Sequence, residues 1–277
     1  MAGNNKYCTF CGKEKGIKGQ FYGGIVIYEL CDCERVHMEE QKKKDNAFAL
    51  KAAVELRNRN SHLSSLGCKS SFKTAITDSK NEVAINGGKY LLSKLLGEVE
   101  DDKKNGLVLQ GTRGSGKTYV ACAVVNDFNT RYPVSDTVKE RLIKERNNGF
   151  SLNDLTSVKS PCKFITEADL FALYFDDFNF RKLNGPVDEF KRAQKLLVID
   201  DVGTLDFEKS RVQSMYLSII DYRYSEKLPI IITTNLNKKE LCDYLGDRVF
   251  DRLEYCCYFV DMTSKESRRR QEVEVRS

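Results

Sequence analysis

The residues whose types and spacing most directly imply chemistry are Gly111-Thr112-Arg113-Gly114-Ser115-Gly116-Lys117-Thr118, which fit G-x-x-x-x-G-K-[ST], the phosphate-binding loop. A strand is expected at Leu107 to Leu109 before it, and a helix opens at Gly116-Lys117-Thr118. Glycines in this pattern let successive backbone N–H groups turn inward around phosphates, and the helix N-terminus adds a favourable dipole. Lys117 is placed to reach β- and γ-phosphates, and the Thr118 hydroxyl to coordinate magnesium. The plain alternative is a Gly-rich strand-to-helix turn that binds nothing.

Two later segments belong with this loop. Leu196-Leu197-Val198-Ile199 reads as a buried strand ending in Asp200-Asp201. There Asp200 would hold magnesium, largely through water, and Asp201 would orient or deprotonate an attacking water. Taken alone, an Asp-Asp pair is a solvated strand end. Ile230-Ile231-Ile232-Thr233-Thr234-Asn235 is the next such strand, and its terminal amide can reach a γ-phosphate or the lytic water. Alone, an Asn at a strand end is usually a turn residue. Arg248 and Arg252 stand four apart on one helical face, and Arg268-Arg269-Arg270 follow Ser267. A guanidinium aimed at a γ-phosphate stabilises transition-state charge and is often supplied by a neighbouring subunit. Helix-surface charge is the alternative for each.

A separate constellation lies at the amino end. Of ten cysteines, Cys8, Cys11, Cys31 and Cys33 crowd the first 33 residues, and the rest are scattered. Cys8-x-x-Cys11 and Cys31-x-Cys33 frame the β-prone run Ile25-Val26-Ile27-Tyr28, and four thiolates suit closed tetrahedral zinc. His37 could replace one ligand. Free buried thiols or a redox pair are the competing readings.

These groups need elements to hold them. Short β-prone runs recur at Leu107 to Leu109, Phe164-Ile165, Leu196 to Ile199, Ile230 to Ile232 and Tyr258 to Val260. Helical patterns at Tyr90 to Val99, Tyr119 to Phe128, Glu167 to Phe175 and Val212 to Tyr224 separate or precede them. Continuous apolar strands between amphipathic helices imply a parallel sheet covered on both faces. Upstream, residues 34–60 carry Phe48, Ala52 and Leu56, with Ala49 and Ala53, at helical spacing. The Ser-rich stretch Asn60 to Ser71 reads as a linker, and residues 131–161 as a polar, loop-like insertion.

The order GTRGSGKT, LLVIDDVG, IDYRY, LPIIITTNL, LGDRVFDRL and ESRRR, over about residues 66–270, resembles the bacterial replicative-helicase loaders of the DnaC/DnaI type and the related IstB transposition ATPases. The resemblance implies an AAA+ α/β domain with five parallel strands and no C-terminal helical lid. It gives Asn235 the sensor 1 role, Arg252 the arginine finger with Arg248 beside it, and Arg269, less closely Arg268, the sensor 2 role. It also implies that a small zinc module before a helix grips the helicase or regulates access to DNA. Many AAA+ enzymes carry Glu where this chain has Asp201, a methylene shorter, so slow turnover is expected. Domains are expected at 1–60, the zinc module with its helix, and at 61–277, the ATPase domain, with 61–80 as its linker.

Composition bounds the remaining classes. A net charge of +5 in 277 residues is mildly basic, with both signs interspersed. No run approaches the roughly 18 apolar residues that cross a bilayer, and MAGNNKYC is not a secretory signal, so a cytoplasmic protein is expected. Phe178-Asn179-Phe180-Arg181-Lys182 offers stacking and charge for single-stranded DNA, or anchors a loop to the core. The expectation is a magnesium-dependent, slowly hydrolysing ATPase that assembles head-to-tail and delivers a hexameric replicative helicase to single-stranded DNA. The alternative is an IstB-like helper that binds duplex DNA and recruits a transposase. A non-hydrolysing nucleotide-binding adaptor is a third possibility.

Overall fold

The computed structural model describes residues 5–21, 25–65, 67–79, 81–100, 104–155, 158–180, 186–193 and 195–264. In chain order the elements are β1 (Ile17–Phe21), β2 (Ile25–Tyr28), α1 (Asp32–Asn60), α2 (Glu82–Leu95), β3 (Gly106–Gln110), α3 (Lys117–Arg131), α4 (Asp136–Asn147), β4 (Cys162–Thr166), α5 (Glu167–Phe180), α6 (Pro186–Lys191), β5 (Leu196–Val202), α7 (Lys209–Ser225), β6 (Ile230–Thr234), α8 (Lys238–Leu245), α9 (Asp247–Cys256) and β7 (Cys257–Asp261). The chain groups into two units, Met1–Ala53 with Val134–Thr156, and Val54–Pro133 with Ser157–Ser277. Among the described residues, no helix is long and apolar enough to cross a membrane, and none follows β7.

The second unit is an α/β domain. Its sheet runs β4-β5-β6-β3-β7 with every pairing parallel. Successive side chains of a strand point to opposite faces, and the runs Leu107 to Leu109, Leu196 to Ile199 and Ile230 to Ile232 are apolar on both because helices cover both. Leu107 and Leu109 of β3 and Leu196 and Val198 of β5 pack with α2 and α3. Val108, Leu197 and Ile199 pack on the other face with α5, α7 and α9. Each such fully buried Leu, Ile or Val contributes about 1.5–3 kcal/mol of transfer free energy.

Three local readings change. Residues 131–161 are not simply a loop, because Asp136–Asn147 is helical. Ser135 caps it by accepting from Val138 N at 3.4 Å, and Lys144 and Arg146 occupy its last turn. Its only fully buried side chain is Leu142, so it lacks the apolar stripe that marks a helix in a sequence. α2 begins at Glu82, well before the expected Tyr90, and includes Gly87 and Gly88. Glycine costs about 1 kcal/mol in a helix, yet a Cβ at Gly88 would lie 2.7 Å from Phe72 Cζ and 3.1 Å from Val120 Cγ1.

The stretch from Asn60 to Ser71 is packed rather than a loose linker. Ser61 and Ser70 are buried. Asn129 Nδ2 donates to Asn58 Oδ1 at 2.9 Å and to Ser61 Oγ at 3.2 Å. Arg57 donates to the carbonyls of Asn129, Tyr132 and Pro133, placing a cation at the carboxyl end of α3.

In the first unit, β1 and β2 form an antiparallel hairpin, with Ile17 opposite Tyr28 and Phe21 opposite Ile25. Ala49, Ala52 and Ala53 of α1 are buried, as the stripe predicts. Arg146 of α4 pairs with Asp45 and lies over the Phe48 ring.

Candidate functional site

The phosphate loop joins the end of β3 to the start of α3. Gly111, Gly114 and Gly116 take φ of 142°, 79° and 98°, values that exclude most L side chains. A Cβ on Gly111 would lie 2.6 Å from the Met262 carbonyl carbon, so the loop is pressed against the strand leaving β7. Thr112 Oγ1 donates to Ser264 O at 2.8 Å and accepts from Ser264 N at 3.0 Å. Arg113 is exposed, Gly114 half-buried, and Ser115 buried, its Oγ without a hydrogen-bond partner among the described residues.

Lys117 is buried at the first position of α3. Its Nζ donates to Gly111 O at 2.8 Å, Thr112 O at 2.9 Å and Asn235 Oδ1 at 2.9 Å. The end of β6 thus meets the phosphate loop through the two residues assigned to a γ-phosphate. Beside them, Thr118 Oγ1 donates to the Asp200 carboxylate at 3.0 and 3.2 Å.

Asp200 is buried at the end of β5 and also accepts from Thr233 Oγ1 at 2.6 Å. Burial raises its carboxyl above the ordinary 3.8. Hydrogen bonds from Thr233 and Thr118 and the charge of Lys117 oppose that rise, whereas the charge of Asp201 adds to it. Sequence reasoning missed Thr233, whose signal was a hydroxyl closing an otherwise apolar strand. It both donates to Asp200 and accepts from Asp201 N at 2.9 Å. Asp201 is exposed and left-handed, at φ 57°, where the β5–β6 register breaks between Ile199 and Val202.

This arrangement fits a magnesium nucleotide. Glycines at positive φ form the cradle, the buried Ser115 Oγ has no hydrogen-bond partner among the described residues, and Lys117 donates to neutral oxygens that a phosphate could replace. Thr118 and Asp200 supply the hard oxygen donors that magnesium prefers. When bound, magnesium neutralises charge on the phosphates.

Arg248 and Arg252 both lie on α9 and face α7. Arg248 Nη2 is 2.9 Å from Asp221 Oδ2, Arg252 Nε pairs with Asp221 Oδ1, and Arg252 Nη1 donates to Arg248 O at 2.7 Å. Within this chain they are held by an acid of the IDYRY segment. Arg268, Arg269 and Arg270 lie outside the described residues, as do Arg181 and Lys182 and the side chains of Phe178 to Phe180.

Glu167, at the start of α5, is a residue sequence reasoning did not single out. It is fully buried. Its Oε2 accepts from Gly203 N at 2.9 Å and Thr204 N at 3.0 Å, and its Oε1 from Tyr216 Oη at 2.6 Å and Tyr244 Oη at 3.0 Å. Burial and the adjacent Glu167 charge push both tyrosines' pKa values up.

In the first unit the ligand atoms of Cys8, Cys11, Cys31 and Cys33 lie within 4.8 Å of one another. Sγ separations are 3.8 Å for Cys8–Cys33, 3.6 Å for Cys11–Cys31 and 3.3 Å for Cys31–Cys33. A tetrahedron with zinc–sulfur bonds of about 2.3 Å has edges near 3.8 Å, so the four sulfurs fit one zinc. The N–H groups of Cys11 and Phe10 donate to Cys8 Sγ and lower its thiol to about 7. The buried Lys15–Glu34 pair, at 3.2 Å, braces the cluster, since Glu34 also accepts from Cys31 N. The His37 ring packs on Phe10 at 4.6 Å.

The chain is similar to several known proteins. Residues 158–275 match the family described as IstB-like ATP binding protein. The replicative helicase loader DnaC of Escherichia coli (strain K12) is 27% identical over 183 residues, covering 62% of this chain and 60% of that protein. The chromosomal replication initiator protein DnaA of Helicobacter hepaticus is 23% identical over 220 residues, covering 79% of this chain and 41% of that one. The chain therefore spans about half the length of these relatives. Among solved structures, that of DnaI superposes with a TM-score of 0.52 at 21% identity, over 72% of this chain and 94% of that one. The resemblance carried by the motif order, to DnaC/DnaI-type AAA+ proteins related to IstB, is borne out.

Proposed function

We propose that this chain is a magnesium-dependent AAA+ ATPase that works in DNA replication as a helicase loader. The observation that carries the ATPase reading is the convergence of Lys117, Asn235, Thr118 and Asp200 at one end of the sheet. In this reading Lys117 and the loop N–H groups bind the triphosphate. Asp201 orients water, Asn235 senses the γ-phosphate, and Arg252, with Arg248 beside it, acts in the site of a neighbouring copy. Arg269 takes the sensor 2 role. A shared arginine makes the contact head-to-tail, which closes a ring or winds a spiral.

The four-thiolate module with its helix, over residues 1–60, is the part that docks on a hexameric replicative helicase. Residues 61–277 form the ATP switch that governs assembly on single-stranded DNA. Slow hydrolysis, expected from the shorter Asp201, then releases the loader.

Native mass spectrometry of the protein with ATP, magnesium and a replicative helicase tests this. A stoichiometric complex that weakens in Arg252→Ala is expected. Lys117→Ala should lose ATP binding, and an unchanged affinity there would overturn the site. The match to the IstB-like family supports a second reading, a helper that coats duplex DNA and recruits a transposase. Absence of a helicase complex together with filament growth on duplex DNA decides for it.

A further inference from the structure

Glu167 is a buried carboxylate bound on both oxygens, and its four donors come from three different parts of the second unit. Two are the backbone N–H groups of Gly203 and Thr204, in the turn that follows the paired acids. The third is Tyr216 on α7, the helix that also carries Asp221, the partner of Arg248 and Arg252. The fourth is Tyr244 on α8, separated from the arginine helix α9 only by Gly246.

The turn held in this way is unusual. Asp201 has left the β5–β6 ladder at φ 57°, with its N–H on Thr233 Oγ1 and its carbonyl accepting from Thr204 Oγ1 at 3.0 Å. Gly203 follows at φ 90°, and a Cβ there would strike Leu236 at 2.4 Å. A left-handed aspartate persists only where its surroundings over-determine it. Glu167 supplies two of those constraints through adjacent amides.

We propose that Glu167 is a positioning residue for ATP hydrolysis, fixing the turn that presents Asp201 and tying it to the helices that present Arg248 and Arg252. The inference rests on the ATPase reading above. Both Glu167 oxygens are taken up by protein donors. It acts through the backbone of Gly203 and Thr204 and through two phenols. A displacement of the turn by about 1 Å is enough to cost up to a hundredfold in turnover.

The test compares wild type with Glu167→Gln, Tyr244→Phe and the double variant, measuring ATP affinity, kcat, KM and Tm. A glutamine cannot accept all four bonds, because one of its two terminal groups is a donor. Expected is a fall in kcat of about tenfold to a hundredfold for Glu167→Gln, with ATP affinity within about twofold of wild type. Tyr244→Phe should lose less, and the double variant no more than Glu167→Gln, since residues of one network do not add. A folded Glu167→Gln with wild-type kcat overturns the proposal, as does a raised KM at unchanged kcat. If Glu167→Gln does not fold, Tyr244→Phe decides: lowered kcat at unchanged affinity and Tm supports, unchanged kcat overturns. A wild type that binds ATP without turnover would end the hydrolysis reading alone. Amide exchange at 201–204 then reads Glu167, faster exchange in the variant supporting the role and equal exchange overturning it.

Discussion

Asn235→Ala should separate nucleotide binding from turnover. An ammonium has three donors, and those of Lys117 meet Gly111 O, Thr112 O and Asn235 Oδ1 at 2.8–2.9 Å. A triphosphate reaching Lys117 must displace at least one of them, and the side-chain amide is the one free to swing away. A hydrogen bond to a charged group is worth about 1.5–3 kcal/mol, and half-burial of Asn235 brings this nearer to 1 kcal/mol. Removing it relieves a contact that ATP would otherwise break, so affinity stays equal or tightens by at most about fivefold. Turnover moves the other way. Losing a preorganised group near developing charge costs up to about 2.7–4 kcal/mol, so kcat should drop by about tenfold to a thousandfold. Titration with a fluorescent ATP analogue and phosphate release measure the two quantities on one preparation. Affinity weakened more than tenfold with turnover per bound nucleotide intact would refute the reasoning and make Asn235 a binding residue.

Asp200→Asn should abolish magnesium-dependent hydrolysis while stabilising the nucleotide-free protein at neutral pH. Burial raises the Asp200 carboxyl, so the folded chain holds that proton more tightly than the unfolded one, and stability falls as pH rises from the ordinary 3.8 through the raised value. The variant's Tm advantage, about 2–4 °C per kcal/mol relieved, should therefore shrink on acidification toward pH 4. An advantage that grows instead contradicts the assignment. Asp221→Ala should free Arg248 and Arg252 for a neighbouring copy and tighten ATP-dependent self-association by up to about fivefold, the scale of an exposed ion pair; weaker association in sedimentation velocity would count against it. Cys11→Ser should abolish stoichiometric zinc by elemental analysis and lower helicity, because a structural zinc contributes folding free energy. ATP affinity should stay within about twofold, and a chain with four intact thiols and no zinc would remove the module's premise.

The sheet was legible because its inner strands are buried on both faces and so read as continuous apolar runs. Ile230 to Ile232 and Leu196 to Ile199 need no partner to be recognised. The phosphate loop and Asp200 were legible for another reason: positive φ at Gly111, Gly114 and Gly116 admits few residue types, so the chemistry is written in the spacing. α4 was illegible because one buried leucine makes no stripe, and the start of α2 because two glycines required by close packing resemble a turn. The paired thiols at the amino end were readable as a set, and the four sulfurs do converge.

What stayed hidden is the layer behind the reacting groups. Glu167 leaves no spacing signal, and Thr233 and Asp221 lie inside the LPIIITTNL and IDYRY motifs, which do not disclose what they hold, because their partners are brought together only by the fold. Glu167 opens a helix as an ordinary first-turn acid would, and Tyr216 and Tyr244 read as core aromatics. Yet Thr233 bonds both acids at once, Glu167 holds the turn beyond them, and Asp221 holds both arginines. A motif reports residues that meet the ligand because their local backbone is constrained. The groups that fix that backbone answer to three-dimensional neighbours, so each is free to differ wherever another donor or acceptor can do the same work. Relatives sharing the loop and the acids can therefore turn over at different rates without any change in the motifs.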